Sequence, residues 1–335
     1  MASTAIFGCA GPTLSPDELA FFRDVDPWGF ILFDRNLVEP AQVRALTDAL
    51  RDALGRDAPI LIDQEGGRVA RLRPPHWRAW RPVREICEEV ADTLSLLEAL
   101  RLRYRVIAEE LRAVGIDVNC APVLDVPQPN AHPIIGDRAL GETASEIALR
   151  GRAVAEGLLA GGVAPVIKHL PGHGRALQDS HQCLPMVTAT VEEMAADFLP
   201  FAALHDMAMG MTAHIVYRDL DPDRCATLSP RVIALIRERI GFDGLLMTDD
   251  LSMHALSGPM ASRAEAALSA GCDIVLHCNG EMAEMQAIAG ALRPLDGQAA
   301  ARATRAEATR VLPEGVDVPA ALARYADLTG EAAHA

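Results

Sequence analysis

The chain has 335 residues, half of them hydrophobic, and its 46 acidic against 31 basic side chains give a formal net charge of −15. That surplus argues against nucleic acid or an anionic membrane as the main partner, and no apolar run reaches the ~18 residues a spanning helix needs. Seven scattered cysteines with no C-x-x-C pair indicate neither a disulfide framework nor a zinc cluster, so reduced thiols and no metal or cofactor are expected. The first ten residues lack the basic start and long apolar core of a signal peptide, and a cytoplasmic, monomeric protein is the expectation.

Short apolar runs alternate with helical patterns along the whole chain. Strands are expected at residues 5–7, 29–33, 59–62, 117–121, 163–167, 210–213, 244–247 and 273–277. Ser15 followed by Pro16 opens the first helix. Val43, Leu46, Leu50 and Leu54 recur at helical spacing, and Gly55 closes that segment. Residues 86–114 hold one or two helices. Thr143 with Glu146 and Thr190 with Glu193 read as capping boxes, and Ser229-Pro230 starts a helix that stops at Gly241. From about residue 280 to 328 the chain is Ala-rich and helical, with a packing role and a loose tail.

Eight strand-helix units imply a parallel sheet with helices outside. No G-x-G-x-x-G or G-x-x-x-x-G-K-[ST] follows the first strand, and eight units in under 300 residues match a single (β/α)8 TIM-type barrel spanning 1–335. In such a barrel the residues after each strand share one rim, where catalytic groups gather. The richest segment is 168–181, in which Lys168, His169, His173, Asp179 and His181 follow a buried strand and are broken by Pro171, Gly172 and Gly174. Asp179 lies two residues from His181, close enough to orient and charge the imidazole. The third strand runs into Asp63-Gln-Glu-Gly-Gly-Arg68-Val-Ala-Arg71, and the fourth into a polar loop containing Asp125, His132, Asp137 and Arg138. The sixth leads to Thr212 and His214, where a lone His reads as a satisfied rim residue. The seventh ends in Asp249-Asp250, and an acid at the tip of a buried strand is costly unless used or paired. Asp249 is therefore a functional candidate and Asp250 a structural one. The residue types alone fit a carboxylate nucleophile with a proton donor, metal-assisted hydrolysis, or a Schiff base on Lys168.

The motifs resemble those of family 3 glycoside hydrolases of the bacterial β-N-acetylglucosaminidase (NagZ) type. The resemblance is carried by Ile62-Asp-Gln-Glu-Gly-Gly-Arg-Val-Ala-Arg71, Gly136-Asp-Arg-Ala-Leu-Gly141, Lys168-His-Leu-Pro-Gly-His-Gly174 with Asp179-Ser-His181, and Thr248-Asp-Asp-Leu-Ser-Met253. It implies a retaining enzyme that removes a terminal β-linked N-acetylglucosamine from muropeptide fragments of peptidoglycan recycling. Asp249 would be the nucleophile, and His181, oriented by Asp179, the general acid/base. Asp63, Arg71, Arg138, Lys168 and His169 would bind the sugar. Leu140 and Leu170 stand where the family usually has Phe, which bears on wall packing near the sugar. Relatives of other sugar specificity, or ones that transfer to phosphate, are the alternatives. The pattern makes chemical sense, since a His titrates near neutral pH and can replace the second carboxyl of most retaining glycosidases.

Overall fold

The computed structural model describes residues 1–313 and 315–331. Eight parallel strands pair in chain order: β1 (Ser3–Gly8), β2 (Pro27–Leu32), β3 (Ile60–Ile62), β4 (Val118–Asn119), β5 (Ala164–Leu170), β6 (Met209–Thr212), β7 (Leu245–Asp250) and β8 (Ile274–His277). β8 pairs with β1 and closes the barrel. Each expected strand is present, and helices form the outer ring. Two strands run further than their apolar content suggests. β5 continues through Lys168 and His169, and β7 through Asp249 and Asp250, so these polar residues lie in the strands themselves.

The helices follow their local chemistry. In α1 (Pro16–Val25) the Ser15 and Glu18 side chains cap reciprocally and Pro16 occupies the first turn. α2 (Pro40–Leu54) ends at Gly55, whose φ of 64° is left-handed. The 86–114 segment resolves into two helices, α3 (Val83–Glu89) and α4 (Thr93–Ala113). Thr143 and Glu146 cap α5 (Ala144–Ala160) as expected. The Thr190–Glu193 bonds also form, at 3.2 and 2.8 Å, but they close a turn ahead of α6 (Ala195–Ala203). Pro230 opens α7 (Pro230–Glu238), capped by Ser229, and α8 (Met260–Ala270) leads into β8. The C-terminal region forms α9 (Met282–Ala289), α10 (Gly297–Glu307) and α11 (Val318–Thr329). The tail expected beyond Leu328 is described only to Glu331.

Side-chain alternation sorts the strands into two cores. Ile31, Leu61, Val118, Val166, Met209, Met211, Leu245, Met247, Ile274 and Leu276 fill the barrel interior, while Phe30, Leu32, Ile60, Ile62, Ile167, Leu246 and Val275 pack outward against helices. Followed upward, the inward-facing parity arrives at polar residues on the C-terminal rim. Leu61 leads to Asp63 and Glu65, Val166 to Lys168, and Met247 to Asp249.

Both site-bearing strands are bulged at those residues. Between Ile167 and Leu170 the partner strand advances only from Gly210 to Thr212. Between Met247 and Asp250 it advances from Ile274 to Leu276. An extra residue in one strand breaks the alternation and re-aims side chains, which is how bulges serve binding sites.

The opposite, N-terminal end is closed by ion pairs from the C-terminal region. Arg302 of α10 reaches Asp273 at 3.0 Å and Arg310 reaches Asp117 at 2.6 Å. Both acids also brace strand starts, accepting the Leu246 and Ile60 amides at 2.9 Å. No helix among the described residues is long and apolar enough to cross a membrane.

Candidate active site

The C-terminal rim encloses a pocket of about 480 Å³ whose wall includes Asp63, Arg71, Arg138, Lys168, His169, Asp179, His181 and Asp249. Every residue to which the family resemblance gives a role thus lines one cavity. Both members of the adjacent pairs Lys168/His169 and Asp249/Asp250 line it, an arrangement that an unbroken strand would forbid and the bulges permit.

On the β3 side the pocket is wired by paired charges. Lys168 Nζ lies 2.8 Å from Asp63 Oδ1 and 2.7 Å from Glu65 Oε1. Arg138 grips Glu65 with two bonds of 2.8 and 2.9 Å, and Arg71 holds the other Asp63 oxygen at 3.2 Å. The Arg71 guanidinium also stacks 4.8 Å from the Phe33 ring. Burial alone would push these carboxyls up, but the cations outweigh it. Lys168 and Arg71 hold Asp63 well below the usual carboxylate range, and Arg138 with Lys168 lowers Glu65 to about 2. The same carboxylates overcome burial at Lys168 and keep its amine protonated. A Schiff base needs the reverse, a free amine, so this environment opposes that chemistry.

Asp125, buried in the loop that follows β4, organises the start of the 168–181 segment. One oxygen accepts the His173 amide at 2.6 Å and the His169 amide at 3.2 Å, and the other lies 2.7 Å from His169 Nδ1. Gly172, at φ 141°, is on this turn, and a Cβ at Gly174 would collide with the Val126 backbone. His173 Nε2 lies 3.0 Å from Ser180 Oγ, and burial pushes the His173 imidazole down to about 4. Tyr217 Oη donates to Gly172 O at 2.8 Å, while Met186–Val187 pairs with Val216–Tyr217 at the far end of the segment. The stretch between these anchors carries the dyad. Asp179 Oδ1 lies 2.8 Å from His181 Nδ1 and accepts the His181 amide at 2.9 Å. That grip leaves Nε2 of a side chain that is 60% exposed directed at the pocket mouth or solvent.

On the far wall, Asp249 accepts the Asp250 amide at 2.8 Å. Burial opposes its charge, but His214, His169 and His181 lie near enough to hold its carboxyl below the ordinary value. Asp249 is therefore an ionised carboxylate across neutral pH. Asp250 is structural, with its own carboxylate spent on Ser252 and the Cys278 amide.

The residues of the polar fourth-strand loop divide in role. Asp125 and Arg138 are buried organisers, whereas Asp137 pairs with Arg68 at the surface. Glu65, shared by Lys168 and Arg138, is the chief residue not singled out from the sequence; its position two after Asp63 was the signal. His277 and Asn279 both bond Glu284, away from the pocket wall. Leu140 and Leu170 are core residues that do not line the pocket, so their departure from Phe leaves its wall unchanged. Among the described residues, no group of three or more His, Cys, Asp or Glu side chains is disposed to hold a metal ion.

The chain is similar over most of its length to known glycoside hydrolases. The model of the glycosyl hydrolase family 3 N-terminal domain matches residues 25–313. A β-hexosaminidase from Methylococcus capsulatus is 42% identical over 280 residues, which is 82% of each chain. The crystal structure of native NagZ from Neisseria gonorrhoeae superimposes with a TM-score of 0.87 at 30% identity, covering 98% of both chains. That protein has also been crystallised with N-trifluoroacetyl-D-glucosamine, and this form too matches with a TM-score of 0.87.

Proposed function

The chain belongs to glycosyl hydrolase family 3, and from that premise we propose that it is a retaining exo-β-N-acetylglucosaminidase using Asp249 as nucleophile and His181 as acid/base. The observation that carries the reading is the facing of an ionised Asp249 and an Asp179-bound His181 across one pocket of single-sugar size. The β-hexosaminidase name of the Methylococcus relative and the glucosamine derivative bound by the gonococcal one support the choice of sugar.

In the first step the Asp249 carboxylate attacks the anomeric carbon while the His181 imidazolium gives its proton to the departing oxygen. The glycosidic bond breaks and a glycosyl ester forms. In the second step neutral His181 takes a proton from water, whose oxygen displaces the ester. N-acetylglucosamine leaves with its configuration retained, and both groups return to their starting states. Asp179 keeps Nε2, rather than Nδ1, as the proton-carrying atom that meets substrate. Asp63, Arg71, Arg138, Lys168 and His169 bind the sugar hydroxyls and acetamide through charged hydrogen bonds. Because their charges are paired with one another before substrate arrives, the wall is set in advance. The segment tied at Gly172 and Val187 closes over the sugar and brings His181 to the leaving oxygen.

The substrate we infer is a muropeptide of cytoplasmic peptidoglycan recycling, N-acetylglucosamine β-linked to 1,6-anhydro-N-acetylmuramic acid, taken by a monomer. Proton NMR during hydrolysis of an aryl N-acetyl-β-glucosaminide, with and without phosphate, tests the reaction. β-N-acetylglucosamine should appear first, at a rate indifferent to phosphate. Initial release of the α-anomer would reject the mechanism, and a sugar phosphate product would reject hydrolysis.

A further inference from the structure

From the backbone around Asp249 we infer that His214 is the positioning residue that aims the nucleophile, an inference that rests on the reaction proposed above. The bulge in β7 is the starting point. In an unbroken strand the ladder to both neighbours would fix the peptide planes on either side of Asp249. Here the β7–β8 ladder skips from Met247 to Asp250, and the β6–β7 ladder ends at Met247 paired with Met211. The nucleophile thus sits where ordinary sheet bonding has stopped, and its direction depends on whatever replaces that bonding.

The replacements are specific. Thr248 Oγ1 accepts the Leu276 amide at 2.9 Å, standing in for a backbone acceptor. The peptide unit that follows Asp250 is clamped on both faces, since Leu251 N donates to Leu276 O at 2.9 Å and Asp250 O lies 3.0 Å from His214 Nε2. The Asp250 amide in turn donates to Asp249 Oδ1 at 2.8 Å. His214 thereby closes a chain of contacts running through a single residue to the attacking oxygen pair. Its side of that chain is rigid, because the imidazole is fully buried and its Nδ1 lies 2.7 Å from Thr227 Oγ1.

The carbonyl of Asp250 sets the role of one ring nitrogen. A carbonyl oxygen only accepts, so His214 Nε2 carries the hydrogen toward Asp250 O. Burial disfavours the charged ring, which leaves Nδ1 as an acceptor. Nδ1 rests against the Thr227 hydroxyl, which also reaches Ala213 O at 3.1 Å and Thr212 Oγ1 at 2.8 Å. The Thr227 contact anchors the ring from β6's side, and the Nε2 proton holds the backbone behind Asp249.

Substitutions separate the two ends of the ring. Gln places a donor near the Nε2 position and Asn near Nδ1, so His214→Gln keeps the Asp250 contact whereas His214→Asn keeps only the Thr227 side. The measurement is the rate at which a 5-fluoro-N-acetylglucosaminyl fluoride esterifies Asp249, alongside kcat and KM on aryl glycosides with good and poor leaving groups. His214→Ala should slow esterification about a hundredfold, the scale on which small misplacements of reacting atoms act. The loss should fall on kcat, not KM, and equally on both leaving groups, because attack and not proton donation is impaired. His214→Gln should recover to within about tenfold of wild type and exceed His214→Asn. Wild-type esterification in His214→Ala, a loss confined to poor leaving groups, or Asn outperforming Gln would each overturn the assignment. If His214→Ala does not fold, the Gln-against-Asn order decides alone. Failure of the wild-type protein to esterify at Asp249 would instead refute the underlying reaction.

Discussion

At the scale of single residues, the site separates charge that acts from charge that holds. Lys168, Arg71 and Arg138 neutralise Asp63 and Glu65 within the wall, whereas Asp249 accepts its following amide and forms no ion pair with a Lys or Arg among the described residues. A carboxylate in that condition is available to attack. Asp249→Ala should reduce turnover of every glycoside by at least about a thousandfold while leaving the thermal unfolding curve in place. His181→Ala should behave differently, with losses of about 10²–10⁴-fold on poor leaving groups and little on activated aryl glycosides. Equal losses on both would remove His181 from its proton-transfer role. The depressed Asp249 carboxyl carries a further expectation for pH. Since the active form is the ionised one, the acid limb of kcat/KM should lie below the ordinary aspartate value of about 3.9. A limb at pH 5 or above would show that Asp249 is not the group titrating in the free enzyme.

At the scale of elements, the two ends of the barrel do different work with the same ingredients. On the C-terminal rim, bulges in β5 and β7 turn neighbouring side chains into one pocket. On the N-terminal end, buried acids ahead of β4 and β8 anchor the C-terminal region. Arg310 is almost entirely buried against Asp117, which keeps Arg51 as a second partner at 2.9 Å. Arg310→Ala should therefore cost about 2–4 kcal/mol of unfolding free energy, somewhat under the loss expected when a buried ion has no other partner. Because that contact lies at the opposite end from the pocket, kcat/KM at moderate temperature should stay within a factor of about two. A large drop in activity without loss of stability would show that the two ends are coupled. The helical signals in the sequence were strongest where capping chemistry was complete, as at Ser15 and Thr143. They misplaced the start of α6 because the Thr190–Glu193 box closes a turn that the helix does not continue.

For the whole molecule, acid stability follows from groups that the fold buries in one charge state. The His173 imidazole lies near 4 in the folded protein and near 6.5 when exposed. Above pH 6.5 it is neutral in both states and contributes nothing to the pH dependence. Between 6.5 and 4 the unfolded chain binds a proton that the folded one refuses, so stability falls by up to about 3 kcal/mol and then levels. Asp125 and Glu65, each lowered to about 2, add stability that is present above pH ~4.5 and lost as pH falls toward 2. Chemical denaturation from pH 7 to 4.5 should show the first loss in the wild type and a smaller one in His173→Gln. A flat wild-type profile over that range would contradict the burial argument.

Much of this arrangement was legible in the sequence because a parallel barrel writes itself as short apolar runs, and each such run became a strand. Asp63, Lys168 and Asp249 stood out because polar side chains ended those runs. The bulges were not legible, since an extra strand residue leaves no mark in composition or alternation, and β5 and β7 were therefore read too short at their C-terminal ends. Glu65 and Asp125 were undervalued for a related reason. Their partners, Arg138 and His173, are distant in sequence or hidden by the turn that brings them near, and only folding makes the pairs.

The measurement that bears most directly on the account is mass-spectrometric mapping of the site esterified by a 5-fluoro-N-acetylglucosaminyl fluoride. The account predicts one sugar per chain on the peptide containing Asp249, formed in the wild type and absent in Asp249→Ala. A label on any other residue, or complete turnover with no trapped ester, would contradict it.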